Sequence, residues 1–272
     1  MAPGPRAGAA RARLLRSALV DIALPVAAVV IGLTVYHFWV VGTDQPAYRF
    51  PTPFAVWDEL WPDRRFFAEQ AWTTGTEALG GLLVATVVAV ALGALMAYNT
   101  VLERMLLPLA ILVKVTPVVA VAPAFIIWWG FGAGPKVAVA ALLTFFPILI
   151  NAVTGFRAVQ PEVLWLLDVY QVPWWRQFLW VRVPAAMPYL LSAIKVSATL
   201  AIIGAVVAEW FGADKGLGRV IYLANTDFQP ARLFAAVTVL AAMGIGITLV
   251  ISLVERRLLF WHESRLFIDG GN

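Results

Sequence analysis

The 272-residue chain contains no cysteine, only two histidines, and charged residues at only 13% of its length. The missing cysteines exclude a disulfide framework and any thiolate metal site. His37 and His262 stand far apart in sequence, which argues against a histidine metal cluster. No Gly-x-x-x-x-Gly-Lys-Ser/Thr phosphate loop occurs. The glycine clusters GFGAGP and GADKGLG do not open helices after strands and read as tight turns, so the chain has no nucleotide-hydrolysing machinery of its own. No basic run is interleaved with a soluble pattern, so the net charge of +4 does not describe a nucleic-acid surface.

What the chain has in abundance is apolar surface. Hydrophobic residues make up 61% of it, against about 45–50% in soluble domains. A helix crossing lipid needs roughly 20 apolar residues, and six runs qualify, at about 22–43, 78–98, 105–129, 136–154, 187–209 and 233–254. No ten-residue alternation suggests a barrel, so the expected fold is all-α, with six transmembrane helices. The first run is too long for a signal-peptide core and lacks a small-x-small cleavage site, so a retained span is expected there.

Six spans place both termini on one side. If that side is the cytoplasm, the inner segments hold Arg6, Arg11, Arg13, Arg16, Arg104, Arg157, Arg176, Arg182, Arg256, Arg257 and Arg265. The outer segments hold the smaller set Arg49, Arg64, Arg65, Lys136, Lys215, Arg219 and Arg232. The positive-inside rule then favours cytoplasmic termini. The organisation expected is a tail over 1–16, one membrane domain over 17–254 and a second tail over 255–272.

The longest inner connection, 155–186, is too apolar to be disordered and longer than most helix–helix links. It reads as two short helices. The first opens on Pro161 with Glu162 in its first turn; a break around Gln171–Pro173 follows. Two readings are open: interfacial helices lying in the headgroups, or a docking site for a cytoplasmic partner. Trp174, Trp175 and Arg176 are the expected contacts in the second, within the segment from Asp168 to Arg182.

Charges inside spans mark candidate pathway residues, because their desolvation is costly. Lys114 is the most interior. Lys195 could contact solute or snorkel to the inner surface. Glu209 is expected at the outer boundary, as an anchor or gate contact to Lys215 or Arg219. With no well-buried acid in view, the two lysines tilt the pathway toward anionic or neutral polar solutes. Pro117, Pro123 and Pro147 interrupt spans three and four. Thr116, Thr144 and Asn151 nearby are candidates to line a cavity, against ordinary kinked packing. The small residues of GGLLVATVVAVALGALMA are expected to allow close helix packing in span two.

The inner loop resembles the cytoplasmic signature of binding-protein-dependent ABC importer permeases: Glu-Ala-Ala, three residues, Gly, nine residues, Ile-x-Leu-Pro. Anchored on Pro184, its end falls on Val181, Val183 and Pro184. The glycine position falls on Gln171, and the Glu-Ala-Ala positions fall on Trp165, Leu166 and Leu167, four departures. The stretches YRFPTPFAVWDEL, VTPVVAVAPAFIIWWGFGAGPK, FFPILINAVTGFRAVQPEV and AIIGAVVAEWFGADKGLGRVIYLA are similar, in order, to the nitrate, sulfonate and taurine permeases. That group also includes permeases for thiamine-precursor pyrimidines and riboflavin.

The resemblance implies a type I ABC importer permease: a non-enzymatic membrane subunit, paired with a second copy. It also implies separate ATPase subunits that carry ATP and magnesium, and an external solute-binding protein. The inner loop would be the coupling element. Glycine at position 171 would permit a positive φ that glutamine adopts less readily, so Pro173 is the expected determinant of that turn. An ion-coupled secondary transporter is the alternative, and it would require paired intramembrane acids and a detectable internal repeat with broken helices; the spans show no such acids and no convincing repeat.

Overall fold

The computed structural model describes residues 5–259, with side chains from residue 23 onward. Of the two expected tails, residues 1–4 and 260–272 lie outside the described residues. Eleven α-helices and no strand are found among the described residues: α1 Pro5–Gly42, α2 Pro53–Leu60, α3 Arg64–Tyr98, α4 Thr100–Val115, α5 Val118–Trp129, α6 Ala133–Phe156, α7 Pro161–Val169, α8 Trp174–Gln177, α9 Val183–Gly212, α10 Leu217–Thr226 and α11 Pro230–Leu258. A π-helical turn, Phe178–Arg182, joins α8 to α9.

Five segments are long and apolar enough to cross a membrane: Ala23–Gly42, Arg64–Tyr98, Ala133–Phe156, Trp174–Gly212 and Pro230–Leu258. The expected span at 105–129 is a pair of half-helices, α4 and α5, bent by 98°, and it completes the expected six when the pair counts as one broken span. The cause is local. Thr116 precedes Pro117 and is driven to extended geometry, with φ −68° and ψ 124°. Pro117 is extended as well and caps α5. At about 1.5 Å per residue neither half alone spans a ~30 Å hydrocarbon core. Pro147, by contrast, leaves α6 a single continuous helix.

α3 begins at Arg64, well ahead of the apolar run at 78. The extra turns carry Gln70, Thr74 and Glu77. These lie four and three residues apart, hence on one helix face, and all three are buried. The centre of the molecule is α3, α6 and α9, with Ala78, Leu82, Ala85, Ala89, Ile148, Leu149, Ala198, Ala201 and Ile202 in one buried cluster. The small residues of span two do allow close approach. A side chain on Gly81 would meet Ala140 Cβ at 2.5 Å, and one on Gly204 would meet Ala140 Cα at 2.7 Å. α1 and α11 lie outside this centre: Leu24, Val29 and Phe38 on α1 are exposed, as are Ile245, Leu249 and Leu253 on α11.

Chain direction separates two ends. α6 leaves the bundle at Phe156 into α7, and α9 returns from α8. α9 then delivers α10 at the other end, beside the first turns of α3. The helical loop and the α10 turn therefore sit at opposite ends of the bundle.

Candidate functional site

At the loop end, α7 opens on Pro161 with Glu162 in its first turn, as the sequence indicates. The corner after it differs from expectation. Gln171 itself takes the left-handed conformation, φ +51°. The Val172 amide donates to Leu167 O at 3.0 Å and the Gln171 amide to Asp168 O at 2.9 Å. These two bonds make a Schellman cap, the usual place of a glycine. Glutamine therefore preserves the glycine-type turn, and Pro173, in extended geometry, serves as the cap of α8.

The corner is clamped by Gln177, which sequence reading missed. Its Nε2 donates to Asp168 Oδ1 at 2.9 Å and to Val172 O at 3.0 Å. Left-handed geometry costs a non-glycine residue about 1–2 kcal/mol. Gln171→Gly is therefore expected to raise thermal stability in detergent, and Gln171→Val to lower it by about 1 kcal/mol or more, since β-branching is disfavoured at positive φ. Equal melting temperatures for the three would contradict the strain.

Trp165, Leu166, Val169, Trp174 and Trp180 are exposed, and Trp175 is half-exposed with the Arg176 guanidinium 4.9 Å from its ring centroid. Arg182 is different. It donates to Phe156 O at 2.9 Å and lies 4.6 Å over the Tyr98 ring, so it ties the loop's two roots together and faces the bundle. Pro184 stands in the first turn of α9. It follows the π turn, in which the Val183 amide reaches back to Phe178 O; proline cannot extend a regular ladder, and a shifted register accommodates it.

The opposite end holds a buried polar cluster. Glu209, fully buried on α9, accepts from Thr74 Oγ1 at 2.7 Å and from the Gly218 amide at 2.5 Å. Thr74 Oγ1 in turn accepts from the Leu217 amide at 2.8 Å, and Gln70 Oε1 accepts from the Gly216 amide at 2.6 Å. Three successive amides at the start of α10 are thus satisfied by α3 and α9, and a carboxyl group faces the positive end of that helix. Gly216, at φ +118°, and Gly218 are required here because a Cβ on either would collide with the Glu209 carboxylate.

Beside this cap, Lys136 Nζ bonds Glu77 Oε1 at 2.8 Å, with both side chains buried. Three expectations are corrected here. Glu209 is held by Thr74 and the α10 amides, not by Lys215 or Arg219. Lys136 is a buried partner within α6, not an outer-loop charge. And buried acids do exist: Glu77 and Glu209.

The candidate pathway residues divide into groups. Lys114 lies in the last turn of α4, exposed, with its ammonium 4.8 Å from the Phe146 ring centroid and no ion pair among the described residues. Thr116, at the break, donates to Leu112 O at 2.7 Å and is exposed. Thr144 is wholly buried and bonded to Ala140 O at 2.9 Å, which makes it a packing residue. Asn151 bonds Pro147 O at 2.8 Å within its own helix. Lys195 pairs with Glu255 of α11 at 3.2 Å. The structure brings Lys114 and Thr116 together at the break and leaves the other three apart.

Broken and continuous apolar helices, with an apolar helical loop at one end and a capped turn at the other, define a polytopic membrane protein of the transport type. The chain belongs to the family described as "Binding-protein-dependent transport system inner membrane component", whose pattern matches residues 89–266. It is 33% identical to the riboflavin transport system permease protein RibX of Chloroflexus aurantiacus, over 84% of this chain and 87% of that protein. It is 34% identical to the formylaminopyrimidine transport permease protein ThiX of Halalkalibacterium halodurans, over 68% of this chain and 74% of the relative. Against the putative aliphatic sulfonates transport permease protein SsuC of Bacillus subtilis the identity is 33%, over 79% and 78%. It is an ABC transporter permease and an integral membrane protein.

Proposed function

We propose that the chain is the translocating subunit of an ATP-driven importer, working as two copies with separate ATPase subunits and an external solute-binding protein. The family membership supports this reading, and the observation that carries it furthest is the loop. An apolar, tryptophan-rich helix pair is held rigid by Gln171, Gln177 and Arg182 and runs continuously through the π turn into the buried helix α9. Such a loop can pass force into the bundle. An ATPase that binds it differently in two states biases the membrane domain between outward- and inward-open forms. In this reading the loop and both tails are cytoplasmic, the membrane domain spans 17–254, and ATP with magnesium is bound by the partner ATPases.

Lys114 and Thr116 lie on the pathway, at the break between the half-helices. Lys114, which has no ion pair among the described residues, suits a solute with an acidic or electron-rich polar group. The named solutes of the relatives (riboflavin, a formylaminopyrimidine, aliphatic sulfonates) set the size class. Lys114→Ala is expected to reduce uptake of an anionic solute about 10-fold, roughly 1.4 kcal/mol, without loss of the assembled complex. Unchanged uptake kinetics would return this lysine to packing against Phe146.

An ion-coupled carrier gains some support from the buried Glu77 and Glu209. However, both acids are engaged within the fold, Lys136 bonding the first and Thr74 with the Gly218 amide the second, so the ATP-driven reading is preferred. Uptake into cells treated with an uncoupler, with ATP maintained, tests the choice. Persistence supports the ATP-driven reading, and abolition overturns it.

A further inference from the structure

Glu103 and Arg157 take no part in the loop corner or the α10 cap, yet they form a fork-to-fork ion pair. Arg157 Nη1 donates to Glu103 Oε1 at 2.9 Å and Nη2 to Oε2 at 2.7 Å, while Nη2 also donates to Met96 O at 2.9 Å. One guanidinium therefore joins three elements: the last turns of α3, the first turn of α4, and the C-cap of α6. Bidentate pairs of this kind are geometrically specific, unlike ordinary surface pairs.

What makes the pair consequential is the poor packing of α4. Among its residues only Ala110 is buried, while Met105, Leu109, Ile111, Leu112 and Val115 are exposed. The α3–α6 contact, by contrast, is close: a side chain on Gly93 would meet Ala152 Cβ at 2.6 Å. Side-chain pins therefore hold α4 to α6 at both ends, Arg157–Glu103 at its start and Lys114 over Phe146 at its finish. Arg157 also directly follows Phe156, whose carbonyl is bonded by Arg182 from the far root of the loop.

We infer that Arg157 and Glu103 form a strut that delivers displacement of the α7–α8 loop to the broken span α4–α5. They are positioning residues: they touch no solute, and the pair stays closed through the cycle so that α4 follows α6. The inference rests on the loop being the ATPase-driven element.

The test uses the full assembly of permease copies, ATPases and binding protein in lipid, with ATP, magnesium and vanadate as the probe. The chain has no cysteine of its own, so single cysteines at the exposed Val169 on the loop and Val115 at the end of α4 are spin-labelled on the purified permease before it is assembled with its partners. Label-to-label distances between the two copies are read with and without trapped nucleotide. The unmodified strut gives a nucleotide-dependent shift at both positions. In Glu103→Gln, and separately in Arg157→Gln, the shift at Val169 persists and the shift at Val115 is lost. The double variant is no worse than either single, as coupled partners require. Glu103→Gln keeps the Arg157 bond to Met96 and guards against a folding defect. A Val115 shift that survives both substitutions overturns the strut. Absence of any shift at Val169 with the strut intact would instead overturn the ATPase-driven reading beneath it.

Discussion

Lys136→Met is expected to destabilise the membrane domain by about 3–5 kcal/mol, the usual cost of removing one partner from a buried ion pair. The ammonium is 2.8 Å from Glu77 Oε1, and the two side chains are 8% and 4% exposed. Without Lys136, Glu77 is left buried with no counterion, next to the Glu209 carboxyl that caps α10. The Glu77→Leu/Lys136→Met double variant is expected to recover most of the loss, because no isolated charge is left behind. Thermal unfolding in detergent, followed by size exclusion, distinguishes the two. A Lys136→Met protein as stable as wild type would show that the pair does not hold the α10-side ends of α3 and α6 together.

Trp174→Asp is expected to release the ATPase while leaving the permease inserted and folded. Trp174 is 71% exposed at the first position of α8, immediately after the corner fixed by Gln171 and Gln177, so its direction is set by the fold. Interface anchors of this type are worth about 2 kcal/mol or more, roughly a 30-fold loss of affinity. An aspartate there also forbids the apolar pocket that would receive the indole. Co-purification of the ATPase with the tagged permease measures the effect, and unimpaired recovery would remove Trp174 from the contact.

The helical membrane fold was legible because apolar runs of span length carry their own meaning in lipid. The break at Thr116–Pro117 was half legible: proline marked a kink, but two consecutive extended residues turned it into a 98° bend. The buried acids were missed for a definable reason. Glu77 stands just outside the uncharged run, and a hydropathy reading stops there, whereas the Gln70–Thr74–Glu77 face shows the helix continuing. Glu209 was placed at the correct end with the wrong partners, because backbone amides leave no mark in a sequence. Gln171 taught the converse lesson. A residue type that disfavours positive φ still adopted it, since two cap bonds and the Gln177 clamp outweigh about 1–2 kcal/mol of local strain. The Arg157–Glu103 contact joins positions 54 apart in sequence, and nothing in their local patterns pairs them.

In the proposed importer, force enters at the loop end and solute arrives at the α10 end. Sealed proteoliposomes containing the permease, its ATPases and its binding protein test it directly through sidedness. With ATP trapped on the loop side and loaded binding protein supplied on the α10 side, solute is expected to accumulate on the loop side even when ionophores have collapsed every ion gradient. Accumulation driven equally well by ATP supplied only on the α10 side, or uptake that disappears with the ion gradients while ATP remains, would contradict it.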